Sequence, residues 1–248
     1  MDDELDRKRQ RVETTPGGGK IPAPMEGDPV RRGPEHGFRE GAGGNQPPSR
    51  DTRPDRATRF LETTLGTLSY SELAPILAER VLRVEARIYD KDFAARETDE
   101  SLLAELHGFI CGDLVPDWAG RWRAIDVCVG NLEPPPPHII PLLMRDYGKD
   151  LLARWPDASA SLSPLTLECL AFAEGRFLTI HPFTDFNGRT IRLFLLELLR
   201  RLDLPRVVLA PDTDDDRKAY FQALESADHA DWRPLAAIWE SRLANCNK

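Results

Sequence analysis

His181-Pro182-Phe183-Thr184-Asp185-Phe186-Asn187-Gly188-Arg189-Thr190-Ile191-Arg192 gathers one imidazole, one carboxylate, one amide, one glycine and two guanidiniums in a single short stretch. Upstream, Ser163-Pro164 has the form of a helix start, with serine as N-cap and proline at the first helical position, and this helix should run to about Ile180. Downstream, the dense apolar run Ile191, Leu193, Phe194, Leu195, Leu196, Leu198 and Leu199 predicts a buried helix over 188–202. The quoted stretch is therefore a loop that feeds a helix N-terminus.

That position favours phosphate. The first N–H groups of a helix lack internal acceptors, and the helix dipole attracts anions there. Asn187-Gly188 permits a tight turn of the backbone. Arg189 and Arg192, three apart, share one helix face, and guanidinium forks match phosphate oxygens in pairs. Asp185 supplies a hard oxygen suited to a magnesium ion that also touches phosphate. His181 titrates nearest neutral pH and is the natural general base.

These residues resemble the Fic family, whose motif runs His-Pro-Phe-x-Asp/Glu-Gly-Asn-Gly-Arg-x-x-Arg; Phe186 stands where the family usually has glycine. The resemblance implies an all-α, Fic-type helical bundle with one small β-hairpin, the flap. It implies transfer of AMP from Mg-ATP to a hydroxyl of a target protein. By position, His181 would deprotonate that hydroxyl and Asp185 would hold magnesium. Asn187, Gly188 and Arg189 would cradle the α- and β-phosphates, Arg192 would reach the γ-phosphate, and Phe183 would anchor the loop in the core.

Residues 1–54 carry Pro16-Gly-Gly-Gly19, Gly41-Ala-Gly-Gly44 and Pro47-Pro48 with almost no large apolar side chains, a composition that predicts a disordered tail. The resemblance implies an N-terminal helical segment over residues 55–95 and a Fic core over 96–248. Ser71 is the expected N-cap of a helix over 72–88, built on Leu73, Ile76, Leu77, Val81, Val84 and Ile88. Just before it, Thr58 and Glu62 are four apart and would share a face of a short helix. Some Fic proteins carry an inhibitory helix, Ser/Thr-x-x-x-Glu-Gly/Asn, whose glutamate pairs with the second motif arginine. Thr58 and Glu62 fit the first part of that pattern and Thr63 departs from it, so Glu62 is the candidate inhibitory residue, set against an ordinary surface glutamate.

Farther along, His107, Gly112, Trp118, Ala119, Gly120 and Arg123 match a second Fic landmark and are expected to be structural. Ala124-Ile-Asp-Val-Cys-Val-Gly-Asn131 reads as a strand and turn. The resemblance makes it the flap, with Val127, Cys128 and Val129 pairing with an extended target segment. Further helices follow over 138–155, 217–224 and 231–243.

The net charge of −8 argues against nucleic acid as a partner. Cys111, Cys128, Cys169 and Cys246 lack C-x-x-C spacing, which argues against a zinc site or disulfide framework and fits a reducing cytosol. No apolar run is long enough to span a bilayer and no apolar signal core stands at the N-terminus, so a membrane is not an expected partner. A secreted effector and a homo-oligomer both stay open, as does the target's identity as Ser, Thr or Tyr. Transfer of UMP, phosphate or phosphocholine shares the same histidine and is the alternative chemistry. If position 186 needs positive φ, phenylalanine costs roughly 1–2 kcal/mol there. If its ring crowds the phosphate site, the chain is instead an inactive binding module.

Overall fold

A computed structural model describes residues 60–129, 132–158, 163–211 and 213–246. The expected tail, residues 1–54, and Thr58 lie outside the described residues. The elements in chain order are β1 (Phe60–Thr63), β2 (Gly66–Ser69), α1 (Tyr70–Tyr89), α2 (Glu100–Cys111), α3 (Ile140–Arg154), α4 (Pro164–Ile180), α5 (Asn187–Arg201), α6 (Asp214–Asp228) and α7 (Arg233–Asn245). Single turns of 3₁₀ helix precede and follow α3.

The bundle forms around α4 and α5. Helix α4 begins as its sequence dictates, with the Ser163 hydroxyl accepting from Thr166 N–H and Pro164 at the first turn. It packs against α3, α5, α6 and α7, while α5 packs against α1, α2 and α4. Almost every apolar residue of α5 is buried, including Phe194, Leu195 and Leu198, each fully excluded from solvent. Burying a side chain of that size contributes about 1.5–3 kcal/mol, so α5 is fixed along its length and its N-terminus cannot drift. Among the described residues, no helix is long and apolar enough to cross a membrane.

The one two-stranded sheet among the described residues is not where the sequence placed it. Phe60–Thr63 pairs antiparallel with Gly66–Ser69, so Glu62 lies on a strand and the expected short helix is absent at the described positions. Two threonines and Gly66, at φ 102°, suit a tight hairpin better than a helix. Ser69, not Ser71, caps α1. Its hydroxyl accepts from Glu72 N–H while the Glu72 carboxylate accepts from Ser69 N–H, a reciprocal capping box. The expected flap strand is reduced to an isolated bridge, Val129 to Leu132, among the described residues. Val127 and Val129 are half-buried and Cys128 is exposed, so the segment alternates like a strand without forming a ladder.

Candidate active site

The motif forms the connection between α4 and α5, and left-handed residues bound it at both ends. His181 closes α4 at φ 50° and Phe186 opens α5 at φ 59°, neither of them glycine. Such conformations cost about 1–3 kcal/mol each and persist where the surroundings impose them. Here the surroundings can be named. The buried Asn187 amide accepts from Phe183 N–H at 3.0 Å and donates to Phe183 C=O at 2.9 Å, closing the loop on itself. The Phe183 ring is fully buried, stacked on His107 at 3.9 Å and near Trp122 at 5.0 Å.

Phe186 resolves the question its sequence raised. Its φ is positive, so it carries the left-handed cost, and its ring is turned into the core, stacked on Trp118 at 5.8 Å. Because phenylalanine has no side-chain acceptor, no cap side chain competes for the N–H groups of Asn187 and Gly188, the first two of α5. A Cβ added at Gly188 would meet no atom within 4 Å, so open space lies beside this helix start.

The charges around that space are unbalanced. Arg189 is half-buried, with its guanidinium 5.9 Å from the Phe186 ring centroid. Burial lowers its pKa first, repulsion from Arg192 lowers it further, and Asp185 opposes both. Arg192 is exposed and has no ion pair among the described residues. Two guanidiniums beside one carboxylate leave positive potential where helix N–H groups also point outward. Nearby, the buried Glu174 carboxylate accepts from Tyr220 Oη at 2.7 Å and pairs with Arg242 at 3.0 Å, so it is already neutralised. Asp185 Oδ1 accepts from Phe186 N–H at 2.7 Å.

His181 is half-buried, and its Nδ1 lacks a hydrogen-bond partner among the described residues. Burial pushes its pKa down to about 4, the Leu178 carbonyl pulls it back in part, and the Arg123 charge lowers it again. The imidazole is therefore unprotonated, and able to accept a proton, across the neutral range.

Sequence reasoning matched Arg123 and His107 to a second Fic landmark and expected them to be structural; the structure brings both to the loop. Arg123 N–H donates to Pro182 C=O at 2.8 Å and its Nε donates to His181 C=O at 2.9 Å. The same guanidinium donates to the carbonyls of Ile125 and Pro135. One buried arginine thus ties Ile125, inside the expected flap segment, and Pro135, beyond it, to the backbone of His181. Neither contact has a local sequence signal, since it joins residues far apart in the chain.

Glu62 is not brought to the site. It is exposed on β1 and accepts from Thr67 Oγ1 at 2.6 Å, and it forms no pair with Arg192. Glu62→Gly is accordingly expected to change the rate of any ATP-dependent reaction by less than about twofold, within the usual range for surface substitutions. An increase of tenfold or more would show that this residue gates the site. Among the described residues no group of three or more His, Cys, Asp and Glu side chains could enclose a metal ion.

Residues 97–199 match the family model described as Fic/DOC family. Over 236 residues the chain is 29% identical to the protein adenylyltransferase Fic of Nematostella vectensis, covering 95% of this chain and 52% of that protein. Over 146 residues it is 32% identical to the protein adenylyltransferase Fic of Drosophila persimilis, covering 59% of this chain and 26% of that one. The chain thus spans about half or less of the length of these relatives. Among solved structures, the N-terminal FIC domain of the Bep8 effector from Bartonella sp. 1-1C superposes with TM-score 0.61 at 16% identity, covering 74% of this chain and 90% of that one. BepC of Bartonella tribocorum with bound AMPPNP superposes with TM-score 0.59 at 17% identity, covering 75% of this chain and 93% of that one. At those identities the likeness is one of fold.

Proposed function

We propose, from the premise that residues 97–199 are a domain of the Fic/DOC family, that the chain transfers AMP from ATP to a Ser, Thr or Tyr hydroxyl of a protein. The observation that carries this reading is the placement of His181 at the start of a loop that opens into an arginine-flanked helix start without a side-chain cap and with open space beside it. The curated relatives named protein adenylyltransferase support the choice of chemistry.

In this account the first N–H groups of α5 and the guanidinium of Arg189 hold the α- and β-phosphates, and Arg192 reaches the γ-phosphate. Asn187 acts through the loop it closes, and Gly188 by leaving room. The target hydroxyl gives its proton to the His181 imidazole as its oxygen bonds to the α-phosphorus. The bond to the β-phosphate bridging oxygen breaks and pyrophosphate leaves. Val127, Cys128 and Val129 lie between Ile125 and Pro135, whose carbonyls the Arg123 guanidinium holds, and are the residues assigned to align an extended target.

The donor set near the loop fits magnesium only in a particular way. A single carboxylate, Asp185, with substrate phosphates and water completing the shell is how magnesium is commonly held. Bound there, the ion would neutralise phosphate charge.

Two measurements test the chemistry. ATP labelled at the α-phosphate should transfer label to protein, and ATP labelled at the γ-phosphate should not; the reverse would assign a kinase-like reaction. The pH profile gives a second check. The acid limb of kcat/KM should fall near pH 4, because the free enzyme's His181 is held there by burial. The limb of kcat should lie higher, since bound triphosphate favours the imidazolium. Coincident limbs near 6.5 would show that burial does not depress the His181 pKa in the free enzyme.

A further inference from the structure

His107 lies on α2, far in sequence from the motif, and is fully buried. Its ring stacks on Phe183 with centroids 3.9 Å apart and planes 5° from parallel. Gly120 N–H donates to Nδ1 at 2.9 Å, so that nitrogen must be unprotonated. The ring proton is therefore on Nε2, which donates to the Asp185 carbonyl at 3.2 Å. Gly120 can approach this closely because it takes φ +68° and has no Cβ to press on the Ala104 carbonyl.

The Asp185–Phe186 peptide is a planar unit whose two polar groups are both held. His107 holds its carbonyl, and the Asp185 carboxylate accepts its N–H at 2.7 Å. Fixing that plane fixes the left-handed φ of Phe186. It also aims the Phe186 carbonyl, which accepts from Arg189 N–H and Thr190 N–H at 3.0 Å each and so starts α5. The direction of the Asp185 carboxylate and the position of the phosphate-facing helix start both follow from this one peptide.

We propose that His107 is a positioning residue for AMP transfer: its Nε2–H orients the Asp185–Phe186 peptide, and through it the Asp185 carboxylate and the N-terminus of α5. The proposal rests on the reading of the site as an adenylyltransferase. The role demands a flat ring for the stack, an acceptor toward Gly120 and a donor toward Asp185. A neutral imidazole meets all three.

Two substitutions divide the two bonds. The amide nitrogen of glutamine can reach the Nε2 position and donate to Asp185. The shorter asparagine reaches only the Nδ1 position, where it can accept from Gly120. The full chain would be compared as wild type, His107→Gln and His107→Asn by urea unfolding, by kcat and KM for ATP, and by hydrogen exchange at the Arg189 and Thr190 amides. Both variants should lose similar stability, since each loses the stack and one bond. His107→Gln should keep kcat within about fivefold, and His107→Asn should lose on the order of 10²-fold, the scale of a small misplacement of reacting groups. Exchange at Arg189 and Thr190 should quicken about tenfold or more in His107→Asn alone. Equal losses of kcat and equal exchange in the two variants would overturn the proposal.

A wild-type measurement bears on it without any substitution. The ring ¹⁵N shifts of His107 should report a proton on Nε2, and a proton on Nδ1 would overturn the assignment. If wild type transfers no AMP, the reading of the site fails, and the exchange and ring-nitrogen results still decide whether His107 orients the loop.

Discussion

His181→Ala is expected to lower AMP transfer by about 10²–10⁴-fold, the usual contribution of a positioned general base. Affinity for ATP should stay within about threefold, because the phosphates are assigned to α5 and its arginines and not to the imidazole. The fold should persist, since the backbone bonds at this position, His181 N–H to Phe177 C=O and Arg123 Nε–H to His181 C=O, do not involve the imidazole. The substitution also has a signature in stability. The folded imidazole has a pKa near 4 and an unfolded one near 6.5, so the unfolded state takes up the proton first as pH falls. That group's contribution is fully present above 6.5 and is lost as pH drops toward 4. Urea midpoints of His181→Ala should therefore fall less steeply between pH 6.5 and 4 than those of wild type. A variant that keeps wild-type turnover would remove His181 from the reaction.

Gly188→Ala separates folding from binding in the opposite way. Glycine inside a helix costs about 0.5–1 kcal/mol relative to alanine, and the added methyl meets no atom within 4 Å. The variant should be as stable as wild type or slightly more so. Yet the methyl would stand in the open space beside the first N–H groups of α5, where the phosphates are assigned. KM for ATP should rise by about tenfold or more, with the loss seen equally in direct nucleotide binding. A more stable protein that binds ATP less well is an outcome that damage to the core does not produce. Unchanged affinity would place the triphosphate elsewhere.

The parts legible in the sequence were those with local signals. Ser163-Pro164 and the apolar run after Ile191 located α4 and α5 because caps and periodicity act within one or two turns. The motif marked the loop between them, and Phe183 proved to be the buried anchor that the resemblance implied. The hairpin was misplaced for a physical reason. A four-residue spacing such as Thr58 to Glu62 suggests a helix face only if the chain is helical, and Thr63, Thr64 and Gly66 instead favour an extended pair with a turn. The capping box was readable, since Ser69 and Glu72 have the required spacing, but Ser71 offered a competing cap. The β-branched residues of 124–129 promised a strand, and a strand needs a partner ladder that the described residues do not supply. His107 to Asp185 and Arg123 to His181 could not be read at all, because such contacts arise when α2 and the following loop pack under the motif. Phe186 lies between these cases. Its departure from the family pattern was plain, but only the packed Trp118 ring explains how a left-handed phenylalanine is held.

Intact mass after incubation with magnesium and ATP, on wild type and His181→Ala side by side, tests the central claim most directly. Addition of one whole adenylyl group to wild type, or to a protein substrate supplied with it, and none with the variant is the predicted result. Addition of phosphate alone, or an adenylyl group that appears equally in both proteins, would contradict it.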